Sequence, residues 1–376
     1  MKTYKPRQNV LVVGISINQP TFISTFCGTG GSSLGYKWAG FKELLAIDFN
    51  DHAVECFQLN FPDVPIWNRS IENVTGKEIM EYCNISLGQL DVLDGSPPCQ
   101  GFSTAGKRNV RDPRNDLFTH YVRLITELNP KVFIMENVSG MAKGKMKGRF
   151  IEIMKTLKSL DYNVKCKQMN AMYYDVPQSR ERLIFIGVRN DLAKEPQYPI
   201  PNQKTISVKE ALGLDGYYRY RHDYSKGNVS FKEVSFNEPS KTITKTQSSE
   251  YFIKLLKSDS SHVRPFAKTA RAIWENIKPG QTGSSYRKGY YNSAVKVDPN
   301  KPCPTIMKSL NGLGGHMHWF EKRSLTINEV KRLCSFPDDW ILTGDTSKQW
   351  ARLGNAVMPK FMKAIALNVK ETILDT

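Results

Sequence analysis

Cys99 is the side chain whose neighbours best suit it to attack a substrate. It lies within Gly95-Ser96-Pro97-Pro98-Cys99-Gln100-Gly101-Phe102-Ser103. The apolar run Leu90 to Leu93 leads in and reads as a buried strand ending at a turn. Two prolines fix the backbone before the thiol, and Gly101 releases it afterwards. Such a thiol is either a nucleophile or a small buried hydrophobe, and the local pattern admits both. Glu136 follows another apolar strand, Val132 to Met135. Desolvation there should raise a carboxyl pKa and suit it to donate or share a proton; capping a helix or facing solvent is the alternative. In Pro177-Gln178-Ser179-Arg180-Glu181-Arg182, alternation into the strand Leu183 to Val188 puts Arg180 and Arg182 on one face. Two guanidinium groups then converge, unless Glu181 ties them into a surface ion-pair ladder.

A second set of residues suits a ligand. Thr21 to Phe26 reads as a strand, and Cys27-Gly28-Thr29-Gly30-Gly31-Ser32-Ser33-Leu34 follows at once. Leu34 and Trp38 lie one helical turn apart, and Gly40 stops the helix. Strand, glycine turn and helix let backbone approach a ligand at the helix start. The dinucleotide fingerprint needs glycine at the sixth position, where Ser33 stands, so an NAD site is disfavoured. The strand Phe41 to Ile47 ends at Asp48, twenty residues beyond Gly28, where a carboxylate can take a ribose hydroxyl pair.

These groups need a frame. Asp51 reads as the cap of a helix carrying Val54 and Phe57, and a short strand, Val64 to Trp67, follows. Thr75 and Glu78 form a capping box. Leu117, Tyr121, Leu124 and Ile125 make a helical stripe; a helix at Phe150 to Leu160 and a strand near Val164 to Met169 come next. Alternating strands and helices predict an α/β chain: a parallel sheet with helices on both faces. Ligands in such sheets sit beyond the carboxyl ends of strands, where Gly28, Asp48 and Cys99 all fall. That agreement favours the nucleophile. Thr104 to Asp116 lacks periodicity and holds Lys107, Arg108, Arg111 and Arg114, a candidate lid over a phosphate backbone.

Charge names a class of partner. The chain of 376 residues carries a formal charge of +17, which points to a polyanion, nucleic acid before membrane. Residues 189–322 hold 22 Lys and Arg against 12 Asp and Glu, a net of +10 and more than half of the total. Prolines at 196, 199 and 201 mark a linker into this region. Bases interleave with aromatics at Tyr217-Tyr218-Arg219-Tyr220-Arg221 and Tyr286-Arg287-Lys288-Gly289-Tyr290-Tyr291, which favours DNA contact over a merely solvated face. Seven scattered cysteines without a CxxC pair indicate neither disulfides nor zinc and fit a reducing cytoplasm. Lys2, Lys5 and Arg7 precede the apolar run Val10 to Ile17, yet no small-residue cleavage site follows and no run reaches membrane length. His316 and His318 lack a third ligand nearby, so no metal is expected. Thr326 and Glu329 form another capping box, and Pro359 opens a last helix with Phe361, Ile365 and Val369 on one side.

Phe26-Cys27-Gly28-Thr29-Gly30-Gly31, Pro97-Pro98-Cys99-Gln100, Glu136-Asn137-Val138 and Gln178-Ser179-Arg180-Glu181-Arg182 resemble, in order, the motifs of DNA (cytosine-5) methyltransferases. Arg323-Ser324-Leu325-Thr326, Phe336-Pro337-Asp338-Asp339-Trp340 and Gly354-Asn355-Ala356-Val357 resemble the later ones, so the likeness covers 21–188 and 323–370. It implies a Rossmann-like S-adenosylmethionine-dependent methyltransferase domain with a mostly parallel sheet, plus a smaller target-recognition domain. The implied division is an extension at 1–20, a catalytic domain at 21–188, target recognition at 189–322, and a segment 323–376 that returns to pack on the first domain. With no regulatory extension in view, the bacterial or phage restriction-modification type is expected.

By the same resemblance a cytosine flips out of duplex DNA. Cys99 adds to C6, Glu136 protonates N3, and Arg182 with Arg180 holds the pyrimidine carbonyl and nearby backbone. Phe26, Gly28, Thr29, Gly30 and Gly31 lie along S-adenosylmethionine; Asp48 meets the ribose; Phe49 and Ile71 flank adenine; Pro98, Leu117, Asn355 and Ala356 complete the pocket. Gln100, Ser103, Lys107, Arg108 and Arg111 are the implied DNA contacts. Three departures stand out: Asp48 where Glu is usual, Ser70 where an acid usually meets adenine, and Ala356 where Ser is common. The implied partners are double-stranded DNA and a separately encoded cognate restriction endonuclease; the chain is expected to work as a cytoplasmic monomer, with no membrane. A tRNA cytosine methyltransferase on this scaffold is the rival, and the long basic middle region argues against it. Intact Cys99, Glu136 and Arg182 argue against a silent DNA-binding protein.

Overall fold

The computed structural model describes residues 19–98, 116–213, 266, 268–288, 291–309 and 315–375. Its centre is a seven-stranded sheet in the order β3-β2-β1-β4-β5-β8-β6. The strands are β1 Thr21–Thr25, β2 Lys42–Asp48, β3 Ile66–Asn68, β4 Val92–Gly95, β5 Val132–Val138, β6 Tyr162–Asn170 and β8 Glu181–Arg189; β7, Gln178–Ser179, lies outside this sheet. Strands β1 to β5 pair in parallel, which needs a crossover at each step. Helices α1 Gly31–Trp38, α2 Asp51–Asn60, α3 Gly76–Cys83 and α4 Asp116–Leu128 lie between successive members of that set.

Period-two burial divides the core in two. Phe22, Ala46, Val92, Val132, Ile134 and Ile184 point to one face, with Leu34 and Tyr36 of α1 and Phe57 of α2. Ile23, Leu45, Leu93, Phe133, Met135 and Phe185 point to the other, with Tyr121, Leu124 and Ile125 of α4 and Ile153 of α5, Lys147–Lys158. Each Val, Leu, Ile, Phe or Met among them contributes about 1.5–3 kcal/mol on burial. Tyr121 also places its hydroxyl 3.0 Å from the carbonyl oxygens of both Leu93 and Ile134, which satisfies its polar end inside the core.

One strand departs from the parallel expectation. β8 runs antiparallel to both β5 and β6. Ten residues join β6 to β8, too few for the helical crossover that a parallel return requires. The start of β8 therefore lies beside the end of β5, with Arg182 opposite Val138. Smaller differences concern element ends. Asn50, rather than Asp51, caps α2, its Oδ1 accepting from the Ala53 N–H at 3.0 Å. The Thr75–Glu78 box forms as expected.

Beyond β8 come α6 Val208–Leu212, α7 Lys268–Asn276 and three two-residue strands, β9 Val295–Lys296, β10 Cys303–Pro304 and β11 His316–Met317. Ala270, Ile273, Ile277, Ala294 and Met317 form a small separate core there. Tyr217 to Arg221 lie outside the described residues, while Tyr286, Arg287 and Lys288 stand exposed. Burial pushes the His316 pKa down to about 4. The Nδ1 of His318 accepts from the backbone N–H groups of Phe320 and Glu321, at 3.2 and 3.0 Å. Then α8 Ile327–Leu333, with its Thr326–Glu329 box, leads to α9 Thr346–Asn355 and α10 Pro359–Val369. Phe361, Met362 and Ile365 of α10 enter the same core as Leu34 and Tyr36 of α1.

Candidate active site

The glycine turn hangs from the ends of β1 and β2. Phe26, Gly28 and Gly30 adopt left-handed φ values of 58°, 59° and 88°. For Phe26 that conformation costs about 1–3 kcal/mol and must be held from outside. The Cys27 N–H donates to the Ile47 carbonyl at 3.2 Å, and the Gly28 N–H to Asp48 Oδ2 at 2.9 Å. Asp48 Oδ1 accepts from the Asn50 N–H at 2.8 Å. Burial raises the Asp48 pKa, opposed by these backbone donors and by the charge of Arg352 on α9. Gly31 opens α1 where a Cβ would lie 2.2 Å from the Val357 carbonyl oxygen, so its absent side chain admits the C-terminal segment. Thr29 is buried, its hydroxyl 3.4 Å from the Trp340 indole nitrogen.

A shallow, solvent-open recess lies beyond this turn, lined by Phe26, Asp48, Phe49, Ile71 and Leu117, all expected at a cofactor, and by Ile47, Arg69 and Ser70. Phe49 is 59% exposed, an aromatic face left open. Arg69 was not among the expected residues. It lies over the Trp67 ring, 5.3 Å from the centroid, and pairs with Glu78 at 3.2 Å. The strand-end rule that marked Gly28 and Asp48 marks Arg69 too, one residue past β3. Asn355 is exposed at the end of α9, and Ala356 is buried beside it.

Two buried carboxyls lie beneath the turn. Glu43 accepts from the Ser33 hydroxyl at 2.9 Å and also from the Ser24 hydroxyl. Asp94 accepts from the Ser32 hydroxyl at 2.6 Å and from the Tyr36 hydroxyl at 3.3 Å. Burial pushes Glu43 up to about 8 and Asp94 up to about 7, with these hydroxyls opposing. Ser33, which breaks the dinucleotide pattern, thus has a structural partner.

Glu136 and Arg182 meet at the next strand end, Oε1 to Nε at 2.5 Å, with side chains 12% and 13% exposed. Their register, Glu136 opposite Ile184 and Val138 opposite Arg182, makes them diagonal neighbours on one face. The carboxyl is therefore paired rather than isolated. Asn137, whose role sequence reasoning did not separate out, donates from Nδ2 to the Pro97 carbonyl at 3.2 Å. That bond ties the end of β5 to the turn through Pro97 and Pro98 that precedes Cys99. Cys99 itself, with Gln100, Ser103, Lys107, Arg108 and Arg111, lies outside the described residues.

Arg180 has different partners from Arg182. It is 3% exposed and donates to the carbonyls of Ile306 at 3.1 Å, Gly354 at 2.9 Å and Ala356 at 3.2 Å. The guanidinium fork joins the start of β8 to the segment after β10 and to the end of α9.

Comparison with known proteins accords with this arrangement. A family model described as C-5 cytosine-specific DNA methylase matches residues 20–371. The chain is 31% identical over 353 residues to the Type II methyltransferase M1.HphI of Haemophilus parahaemolyticus, covering 92% of this chain and 85% of that one. It is 30% identical over 371 residues to M.DdeI of Desulfomicrobium norvegicum, covering 92% and 87%. A crystal structure described as a DNA modification methyltransferase encoded within an Escherichia coli prophage gives a TM-score of 0.68 at 25% identity, covering 95% of this chain and 100% of that one. A match spanning both the glycine turn and the returning C-terminal helices leaves one assignment: this chain belongs to the family of C-5 cytosine-specific DNA methylases.

Proposed function

We propose that the chain transfers a methyl group from S-adenosylmethionine to C5 of a cytosine flipped out of duplex DNA, through a covalent bond between Cys99 and C6. The Glu136–Arg182 pair, tied through Asn137 to the turn before Cys99, is the observation that most supports this. The recess suits S-adenosylmethionine: Phe49, Ile71 and Leu117 offer apolar surface for adenine, and Asp48 a carboxylate for the ribose. Both Asp48 oxygens already accept a backbone N–H, yet each keeps a lone pair for a hydroxyl. When bound, the cofactor supplies an electrophilic methyl group.

Cytosine C5 is a poor nucleophile until C6 is saturated. Addition of the Cys99 thiolate to C6 places electron density on C5. Glu136, in its protonated form, donates that proton to N3 as the charge develops and takes it back on elimination. Arg182 orients the Glu136 carboxyl and offers its remaining N–H groups to the pyrimidine carbonyl. After methylation, loss of the C5 proton and cleavage of the sulfur–C6 bond restore the aromatic ring and the thiolate. Residues 189–322 would read the target. The Type II names of the relatives support a restriction-modification setting with a separate endonuclease as partner; a cytoplasmic monomer belongs to the same reading.

Incubation with duplex DNA and methyl-labelled S-adenosylmethionine, followed by nucleoside digestion, should give labelled 5-methylcytosine. Label in tRNA but not in duplex DNA would overturn the choice of substrate. Bisulfite sequencing of DNA from expressing cells then reads the target site.

A further inference from the structure

We propose that Lys143, Lys147 and the open backbone at Gly148 form a further phosphate-binding surface, apart from both the middle region and the 104–116 segment, that grips the DNA backbone beside the active edge. This rests on duplex DNA being the substrate. Residues 143–149 carry four Lys and Arg in seven positions and no acid. They leave the end of β5 through two short 3₁₀ turns, Ser139–Ala142 and Gly144–Met146, and enter α5 at Lys147. Lys143, Gly144, Lys147 and Gly148 are all exposed.

The ridge adjoins the site at both ends. Lys143 Nζ lies 3.5 Å from Glu181 Oε2, and Glu181 precedes the Arg182 that pairs with Glu136. Arg149 pairs with Glu152 at 2.6 Å and lies 5.9 Å from the centroid of Phe118, next to the recess-lining Leu117. Counting Glu152 and Glu181 against the four cations leaves a surplus of two positive charges.

Folding contacts serve Lys143 and Arg149 but do not account for Lys147 or Gly148. The first turn of α5 holds no acid and begins with Lys147, although the dipole at a helix start disfavours cations. Gly148 has no atom within 4 Å of where a Cβ would stand, and its φ lies outside the left-handed region. Alanine would fit there and favour the helix. What glycine provides is backbone that a ligand can approach closely. Exposed lysines with an open backbone, beside a site that handles DNA, match phosphate oxygens in charge and in access.

The test is binding to a mixed-sequence duplex of about thirty base pairs, titrated across salt concentrations. Each phosphate contact contributes about 0.9 to the slope of log K against log salt. The Lys143→Ala/Lys147→Ala double variant should bind about tenfold more weakly, with a slope flatter by about two. Gly148→Ala should melt at a higher temperature than the parent yet bind the duplex less tightly. S-adenosylmethionine affinity should stay the same in all of them. An unchanged slope in the double variant, or unchanged affinity in Gly148→Ala, overturns the ridge while the parent still binds DNA. A parent that fails to bind duplex DNA overturns the functional proposal, and the ridge with it.

Discussion

At the scale of residues, the Glu136–Arg182 pair separates stability from chemistry. With both side chains nearly buried, removing one partner leaves the other uncompensated. Arg182→Ala should cost about 3–5 kcal/mol, read by urea unfolding. Glu136→Gln keeps the shape and one acceptor, so its main loss should be in kcat, about a hundred- to ten-thousandfold, with a smaller loss of stability. Equal stability losses in the two variants would contradict this division. Both residues were legible as chemical groups from the apolar run before Glu136 and the spacing of Arg182. Their pairing was not, because it depends on the direction of β8. Arg180 and Arg182 look alike in sequence and differ in what they hold: backbone carbonyls for one, a carboxylate for the other.

At the scale of elements, the serines of α1 connect the glycine turn to a titration. Glu43 and Asp94 titrate near 8 and 7 in the folded protein, well above ordinary carboxyls. The folded state therefore holds protons that the unfolded chain releases. This contribution is fully present below the unfolded pKa values and is lost as pH rises through about 7 and 8. Each group changes stability by at most about 1.4 kcal/mol per pH unit. Thermal melts should fall from pH 6 to pH 9, and Glu43→Gln should flatten the upper part of that decline. A melting temperature that rises over the same range would contradict the assignment. None of this was legible in the sequence, where Ser33 marks a departure from a pattern and Glu43 sits within a strand. The acid–serine contacts arise where α1 crosses over β1, β2 and β4. Local signals did better where the physics is local: the Thr75–Glu78 and Thr326–Glu329 boxes form as read.

At the scale of the molecule, the C-terminal helices complete the site's frame. Phe361 is 1% exposed in the core shared with α1, and Gly31 meets the Val357 carbonyl. Phe361→Ala should cost about 3–5 kcal/mol and weaken S-adenosylmethionine binding, because α1 starts at the glycine turn. Calorimetric titration checks the second effect; full affinity in a destabilised variant would contradict the coupling. Alternating strands and helices made the α/β class legible, but the antiparallel strand was hidden in the short link from β6 to β8. That inversion matters most, since it brings Arg182 to the edge that carries Glu136. The most direct measurement is methyl transfer by Cys99→Ala to duplex DNA from labelled S-adenosylmethionine. No 5-methylcytosine should form while DNA binding survives, since affinity comes largely from phosphate contacts. Continued turnover in that variant would contradict attack by Cys99.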